Sequence, residues 1–396
     1  MSVLLYHTAS TSEFDKASAL GHYTVRLNLG VSVFFLISGF LLYRPFAVAH
    51  FSGKPALSPT KFWLRRLLRI VPGYWLALTV ITYGLHTQTI GASWRSIVVD
   101  YGFAQIYYPL HFFSGLGQAW TLCTEMSFYF FLPLYAALIA MGRRSPGRQL
   151  ARELAVLGVL AIIAVGFKSW AIDYHCAPNC FTSHVPYMIT WLPSFLDLFG
   201  LGMFLAVMSA WHTTHRPEPT WLAHPAMPWA SWACAAGIFV IVTRVGDPVA
   251  AALSPLPYVV TQELYGLFAF FLLLPAVFGP QNRGLIRRLL TARPVAAVGV
   301  VSYGVYLWHP GWIDEVFRWF GTSSWRSIPA YVALTLLVFV LSTASATASY
   351  FVVERPVLRL KDGFRSRSRS RAVPSVPPTP ATPSESPTPA TPLPTP

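Results

Sequence analysis

The sequence predicts an all-α polytopic membrane protein, and three observations carry that reading. The hydrophobic fraction is 54% and the charged fraction only 11%, against about 25% charged in a soluble protein. Ten apolar stretches recur along the 396 residues, most of them close to the roughly 20 residues that cross a hydrocarbon core. The connections between them alternate between strongly basic and near-neutral, the pattern that fixes orientation in a membrane. The net charge of +14 therefore serves topology and contact with anionic lipid or an anionic ligand, not nucleic acid.

The candidate spans, in order, lie near 1–11, 28–46, 71–88, 119–141, 154–171, 186–210, 228–244, 258–279, 295–313 and 328–353. The first has only about ten residues before polar Thr11 and Ser12, half of what a span needs. It is either re-entrant or the end of a helix whose first residues precede Met1, and the second is the expectation. No cleavable signal peptide is visible in MSVLLYHTAS, which has no basic start and no long apolar run. The connection 47–70 carries Lys54, Lys61, Arg65, Arg66 and Arg69 with no acid, and 280–294 carries four arginines with no acid. Connection 142–153 is also basic, whereas 11–27, 89–118, 172–185 and 245–257 are near-neutral; 211–227 is ambiguous. Ten spans with both termini cytoplasmic satisfy this alternation in a multi-pass protein of the cell membrane.

Residues 1–358 form the membrane domain in this reading. From 359 the chain is basic, with RSRSRSR at Arg365–Arg371, and then rich in Pro, Thr and Ser. Such composition supports no packed core, so a disordered tail is expected. Of the four cysteines, Cys123 and Cys234 read as small buried residues. Cys176 and Cys180 share a polar loop that would face outward, where a small disulfide can form. His175 and His184 nearby make a metal site conceivable, but Cys-x3-Cys with loose histidines is weak, and no metal is assigned.

Chemistry concentrates in a few places. In Thr60–Leu78, TKFWLRRLLRIVPGYWLAL, Arg66 and Arg69 are three apart and share a helical face, with Arg65 beside them. A guanidinium pair can hold phosphate bidentately, although basic residues here also serve orientation alone. Pro72 is expected to open the following spanning helix, leaving the arginines on an amphipathic segment at the membrane surface. Ionisable groups inside apolar segments are costly, and His7, Glu125, Asp197, Glu263 and His309 are such groups. The topology puts His7, Glu125, Glu263 and His309 in the outer half. Structural readings stand beside each: His309 between Trp308 and Trp312 as an interfacial anchor, Glu125 and Asp197 as interhelical hydrogen-bonding acids, Glu263 as an acid near a helix N-terminus. His7 has no such easy account, and imidazole suits general-base or acyl-carrying work.

Six segments then occur in a particular order: LLYHTAS, LGVSVFFLISGFLL (Leu29–Leu42), FWLRRLLRIVPGYWLAL, AWTLCTEMSFYFFLPL, SYGVYLWHP and SYFVVERP (Ser349–Pro356). Together they resemble the acyltransferase 3 family of membrane O-acyltransferases over about residues 1–356. The resemblance implies acyl-coenzyme A as donor, bound by Arg66 and Arg69 with Arg65 adjacent, and a glycan or related hydroxyl-bearing acceptor. It implies an essential role for His7, with Glu125 as a second catalytic residue, a candidate to orient His7 or bind a sugar hydroxyl. Trp120, Tyr303, Tyr306 and His309 match family motifs and are expected on the substrate side, and Glu354 matches the acid of the last motif; Trp120 and Tyr129 are aromatics that can pack on a sugar ring. Thr121 stands where serine is common. The expected reaction is transfer of an acyl group, in the first instance acetyl, to an extracytoplasmic acceptor. The alternatives are an exporter of a glycan precursor or organic acid, although no inverted repeat is evident, and a non-catalytic scaffold whose proline-rich tail binds partners.

Overall fold

The computed structural model describes residues 1–359 apart from 54, 56, 109–110, 112–113, 143–144, 177–186, 246–253, 281–283 and 322–324, with backbone only at 174–176. The Cys176–Cys180 pair, the histidines flanking it, Lys54, Arg143, Arg144, Arg283 and the tail from 360 lie outside the described residues or side chains. The rest is helical, with no strand among the described residues. We number the principal helices α1 (Ser2–Thr11), α2 (Gly30–Ser52), α3 (Pro59–Thr79), α4 (Trp120–Ala140), α5 (Pro146–Cys176), α6 (Leu196–Thr214), α7 (Met227–Arg244), α8 (Pro255–Val277), α9 (Arg293–Phe320) and α10 (Ile328–Ser349). Among the described residues eight helices are long and apolar enough to cross a membrane, or nine if the bent pair Leu285–Thr291 and α9 counts as one span. A helix is the natural outcome, because in hydrocarbon every backbone polar group must find its partner within the segment. The polytopic all-α reading stands, with eight or nine full-length spans among the described residues where ten were expected; the first is short as expected, α1 holding 10 residues, about 15 Å at 1.5 Å per residue.

Two expectations are corrected here. Pro72 does not open a helix. Pro59 takes that place after extended Ser58, and Pro72 lies inside α3, which runs on as a π turn over Val80–Gly84. The basic segment and the apolar run are thus one rod. Arg66 and Arg69 are the eighth and eleventh residues of the helix Pro59–Gly84, so Arg69 lies about 15 Å along its axis from Pro59. Cys234 is exposed on α7, while Cys123 is buried; a membrane helix can leave small apolar side chains on its lipid side at no cost.

Helices α2 and α6 form the centre of the bundle. Gly39 and Gly202 let their backbones touch: a Cβ at Gly202 would lie 2.0 Å from the Leu36 carbonyl oxygen, and one at Gly39 2.2 Å from that of Phe199. Small residues at such crossings are what membrane helices use in place of a hydrophobic drive. Phe128 of α4 stacks on Phe199 of α6 with ring centroids 3.9 Å apart, joining a third helix to the pair. α9 packs on α10 through Gly304, whose Cβ would meet that of Ala346 at 2.5 Å. Polar side chains cross-link the helix ends. Tyr43 of α2 donates to Glu153 Oε2 of α5 at 2.5 Å, and His50 Nδ1 lies 2.7 Å from Oε1 of the same carboxylate.

Candidate active site

A cavity of about 890 Å³ opens between α2, α3, α4 and α9, with apolar walls continued by α7 and α8. Its size suits a bound organic molecule. Arg66 and Arg69 line it from α3, Glu125 and Tyr129 from α4, and Tyr303, Tyr306 and His309 from α9. The i, i+3 and i, i+4 spacings seen in the sequence put each set on one helical face; only the packing turns the three faces toward the same space.

At one side of the cavity is a cationic cluster. Neither Arg66 nor Arg69 has an ion-pair partner within 4.0 Å among the described residues. Arg66 leans over the Phe62 ring, 5.9 Å from its centroid. Glu125 is buried and accepts from Ser38 Oγ at 2.8 Å and from the Tyr129 hydroxyl, and its charge interacts with both arginines. Glu354 interacts with Arg69 and accepts from Ser349 Oγ at 3.2 Å. It can approach α3 because Gly73 stands opposite, where a Cβ would be 3.0 Å from Glu354 Oε1. The cluster has two neighbouring cations without an ion-pair partner among the described residues, which is chemistry suited to an anion such as phosphate.

A histidine pair marks another part of the site. His309 is fully buried, and its Nε2 lies 2.8 Å from Nδ1 of His7 on α1. His309 Nδ1 faces the Val305 carbonyl at 3.2 Å. Among the described residues nothing in the protein bonds His7 Nε2. α1 is held in place by Thr8, which meets Thr335 of α10 at 3.1 Å, and by Tyr331, whose hydroxyl donates to the Leu5 carbonyl at 3.0 Å. Tyr306 donates to the Gln118 carbonyl and meets Thr121 Oγ1, both at 2.6 Å. Tyr303 donates to the Ile70 carbonyl at 2.7 Å. These two tyrosines tie α9 to the start of α4 and to α3, so the hydroxyls are spent on helix contacts.

The structure therefore separates residues that the sequence grouped. Glu125 sits with the arginines, bonded to Ser38 and Tyr129, whereas His7 is bonded to His309. Arg65 is exposed and does not line the cavity. Trp120 does not line it either; it packs on Phe35 and Phe195, with centroids 6.3 and 5.7 Å away. Glu263 is far from a helix start and does not join the histidines. With Asp197 it holds Lys168, which bonds Glu263 Oε1 at 2.6 Å and also bonds Asp197 Oδ2. Sequence reasoning passed over Lys168, though a lone lysine inside the apolar stretch 154–171 is a clear signal. It also passed over Ser38, which no pattern distinguishes from other helical serines.

A multi-helix membrane bundle with an arginine pair and a histidine pair around one cavity defines an integral membrane enzyme. A family model described as "Acyltransferase domain" (acyltransferase 3) matches residues 1–347, and the chain belongs to this family. It is a membrane acyltransferase. It is 27% identical over 370 residues to the exopolysaccharide production protein ExoZ of Rhizobium meliloti (strain 1021), covering 91% of this chain and 96% of ExoZ. It is 30% identical over 221 residues to the acyltransferase MdmB of Streptomyces mycarofaciens, covering 52% of this chain and 54% of MdmB. The peptidoglycan O-acetyltransferase OatA of Listeria monocytogenes is 21% identical over 364 residues, 85% of this chain and 52% of OatA. The chain thus spans about half the length of the last two. No solved structure matches it.

Proposed function

We propose that this acyltransferase moves an acyl group, acetyl being the expected one, from acyl-coenzyme A to a hydroxyl of an extracytoplasmic glycan or related acceptor. The observation that carries the reading is that one cavity is lined both by the unpaired Arg66–Arg69 pair and by His309, the partner of His7. The arginines hold the donor's phosphates, and the pantetheine arm runs along the cavity toward the histidines. His7 takes the proton of the acceptor hydroxyl as its oxygen attacks the thioester carbon, and returns it to the departing sulfur as the C–S bond breaks. Glu125, between the two arginines and Tyr129, balances part of their charge and keeps them extended into the cavity. Basic connections on one side and near-neutral ones on the other support cytoplasmic termini in the cell membrane, with the donor entering from the cytoplasm. The likeness to ExoZ, an exopolysaccharide production protein, and to OatA, a peptidoglycan O-acetyltransferase, supports a polysaccharide acceptor.

The test uses membranes containing wild type, His7→Ala, and the Arg66→Ala/Arg69→Ala double variant, with radiolabelled acetyl-coenzyme A. Wild type is expected to bind donor and pass label to envelope or secreted glycan. His7→Ala should bind without transfer, and the double variant should lose binding by at least about tenfold, since each charge-assisted contact is worth roughly 1.5–3 kcal/mol. If wild type binds no acetyl-coenzyme A and labels no glycan, the donor assignment is wrong and export of a glycan precursor becomes the better reading.

A further inference from the structure

We infer that His309 is a positioning residue that fixes the tautomer of His7, so that His7 Nε2, and not Nδ1, carries the lone pair that accepts the acceptor's proton. This rests on the proposed role of His7 as the base. The geometry of the pair comes first. The two rings are 13° from parallel with centroids 5.0 Å apart, while the nearest nitrogens are 2.8 Å apart. Adding to that nitrogen separation the short distance from each ring centre to its own nitrogen accounts for the whole centroid separation. The nitrogens therefore lie on the line between the centres, and the rings sit edge to edge in nearly one plane. This is an aligned N–H···N hydrogen bond, not a face-to-face stack.

The direction of that bond follows from what lies behind His309. Its Nδ1 faces the Val305 carbonyl at 3.2 Å, and its ring also interacts with the backbone of Tyr306. Pro310 has no N–H to give the Tyr306 carbonyl, which is four residues earlier in α9. Carbonyl oxygens only accept, so His309 Nδ1 must carry a hydrogen. A neutral imidazole has one N–H, which leaves His309 Nε2 as an acceptor. His7 Nδ1 must then be the donor, and His7 Nε2 is left with its lone pair and with no protein partner among the described residues. The chain of bonds runs from His7 to His309 to the backbone of α9, with each link setting the next. When His7 Nε2 gains the acceptor's proton, the charge is shared with His309 through the same bond. An imidazole here fills the place that a carboxylate takes in a serine–histidine–aspartate site, where the wrong tautomer costs about 10⁴ in rate.

The experiment compares wild type, His309→Leu and His309→Gln, reading donor KM, kcat for label transfer, and the nitrogen-15 NMR of labelled histidine in lipid, with His7 signals assigned by difference from His7→Ala. His309→Leu should lower kcat roughly a hundredfold or more, with donor KM changed less than about twofold, because the arginines are untouched. His309→Gln can still accept from His7 Nδ1 through its amide oxygen and should recover at least about a tenth of the wild-type rate. The spectrum should show His7 protonated on Nδ1 in wild type and losing that preference in His309→Leu. A His309→Leu enzyme within about threefold of wild type overturns the inference. So does a His309→Gln enzyme that binds donor but is as slow as the leucine variant, or a wild-type His7 protonated on Nε2. The spectrum judges the tautomer even if wild type transfers nothing, in which case only the donor and acceptor assignment falls.

Discussion

Replacing Lys168 by methionine tests how the α5, α6 and α8 helices are held together. The Lys168 side chain is 1% exposed, Asp197 3% and Glu263 37%. One cation thus serves two carboxylates on two other helices. Asp197 Oδ1 is taken by the Leu198 N–H at 2.8 Å, but its Oδ2 has Lys168. Methionine keeps the length and fills the space, so the loss is electrostatic, not a cavity. Removing one partner of a buried pair costs about 3–5 kcal/mol, because a charge is left uncompensated. Almost all of that falls on Asp197, since solvent screens the more exposed Glu263. The folded-to-unfolded ratio should drop roughly a hundredfold or more at about 1.4 kcal/mol per decade. At about 2 °C per kcal/mol for a large domain, Tm should fall by several degrees. Thermal unfolding of the protein in detergent, followed by tryptophan fluorescence and by recovery of the monodisperse peak, measures this. The Lys168→Met/Asp197→Asn double variant removes both charges and should regain more than half of the lost stability, a coupling that independent sites would not show. A single variant with Tm within about 1 °C of wild type, or a double variant worse than the sum of its parts, refutes the reasoning.

Three further outcomes are expected. Gly202→Ala places a Cβ 2.0 Å from the Leu36 carbonyl oxygen and 2.8 Å from the Phe40 nitrogen, so it should cost at least about 1–3 kcal/mol and lower the yield of folded protein in a fluorescence-detected size-exclusion assay. Ser38→Ala leaves Glu125 without the bond to Oε1, worth about 1–3 kcal/mol at a buried acceptor, and should lower Tm by a few degrees and slow label transfer about tenfold; unchanged transfer would show that Glu125 needs no such support. Asp100, in the connection between α3 and α4, is fully buried, with Oδ1 bonded to Ser114 Oγ at 2.6 Å and Oδ2 unpartnered. Burial pushes its carboxyl above the usual range, with the Ser114 hydroxyl and His111 pulling part of the way back. The folded state therefore binds the proton more tightly, and stability falls as pH rises from about 4, the ordinary carboxyl value, through the raised folded value. Asp100→Asn should remove that dependence and be neutral or stabilising at pH 7, as read by Tm against pH; an asparagine variant with the same pH slope would refute it.

Composition and hydropathy were enough to show a helical membrane protein, because a backbone in hydrocarbon has few ways to satisfy itself. Family membership was also legible, since six short segments in a set order survive where overall identity is low. Glu125 and the two histidines could be picked out by the cost of placing ionisable groups in an apolar stretch, and Arg66 and Arg69 by their i, i+3 spacing on one helical face. Which of these groups meet was not legible. His7 and His309 are 302 positions apart, and no helical period connects them; the packing of α1 against α9 and α10 brings them to 2.8 Å. The same is true of Lys168, whose partners lie 29 and 95 residues away. Pro72 misled for a local reason: a proline fits the first turn of a helix, but it is also tolerated inside a membrane helix, and only the continuous axis of α3 decides between the two. The sequence alone determined which chemical groups would be present at membrane depth. Tertiary structure decided that Glu125 joins the arginines and His309 joins His7, because pairing in a membrane depends on which helical faces touch, and that is set by small residues such as Gly39 and Gly202 at the helix crossings.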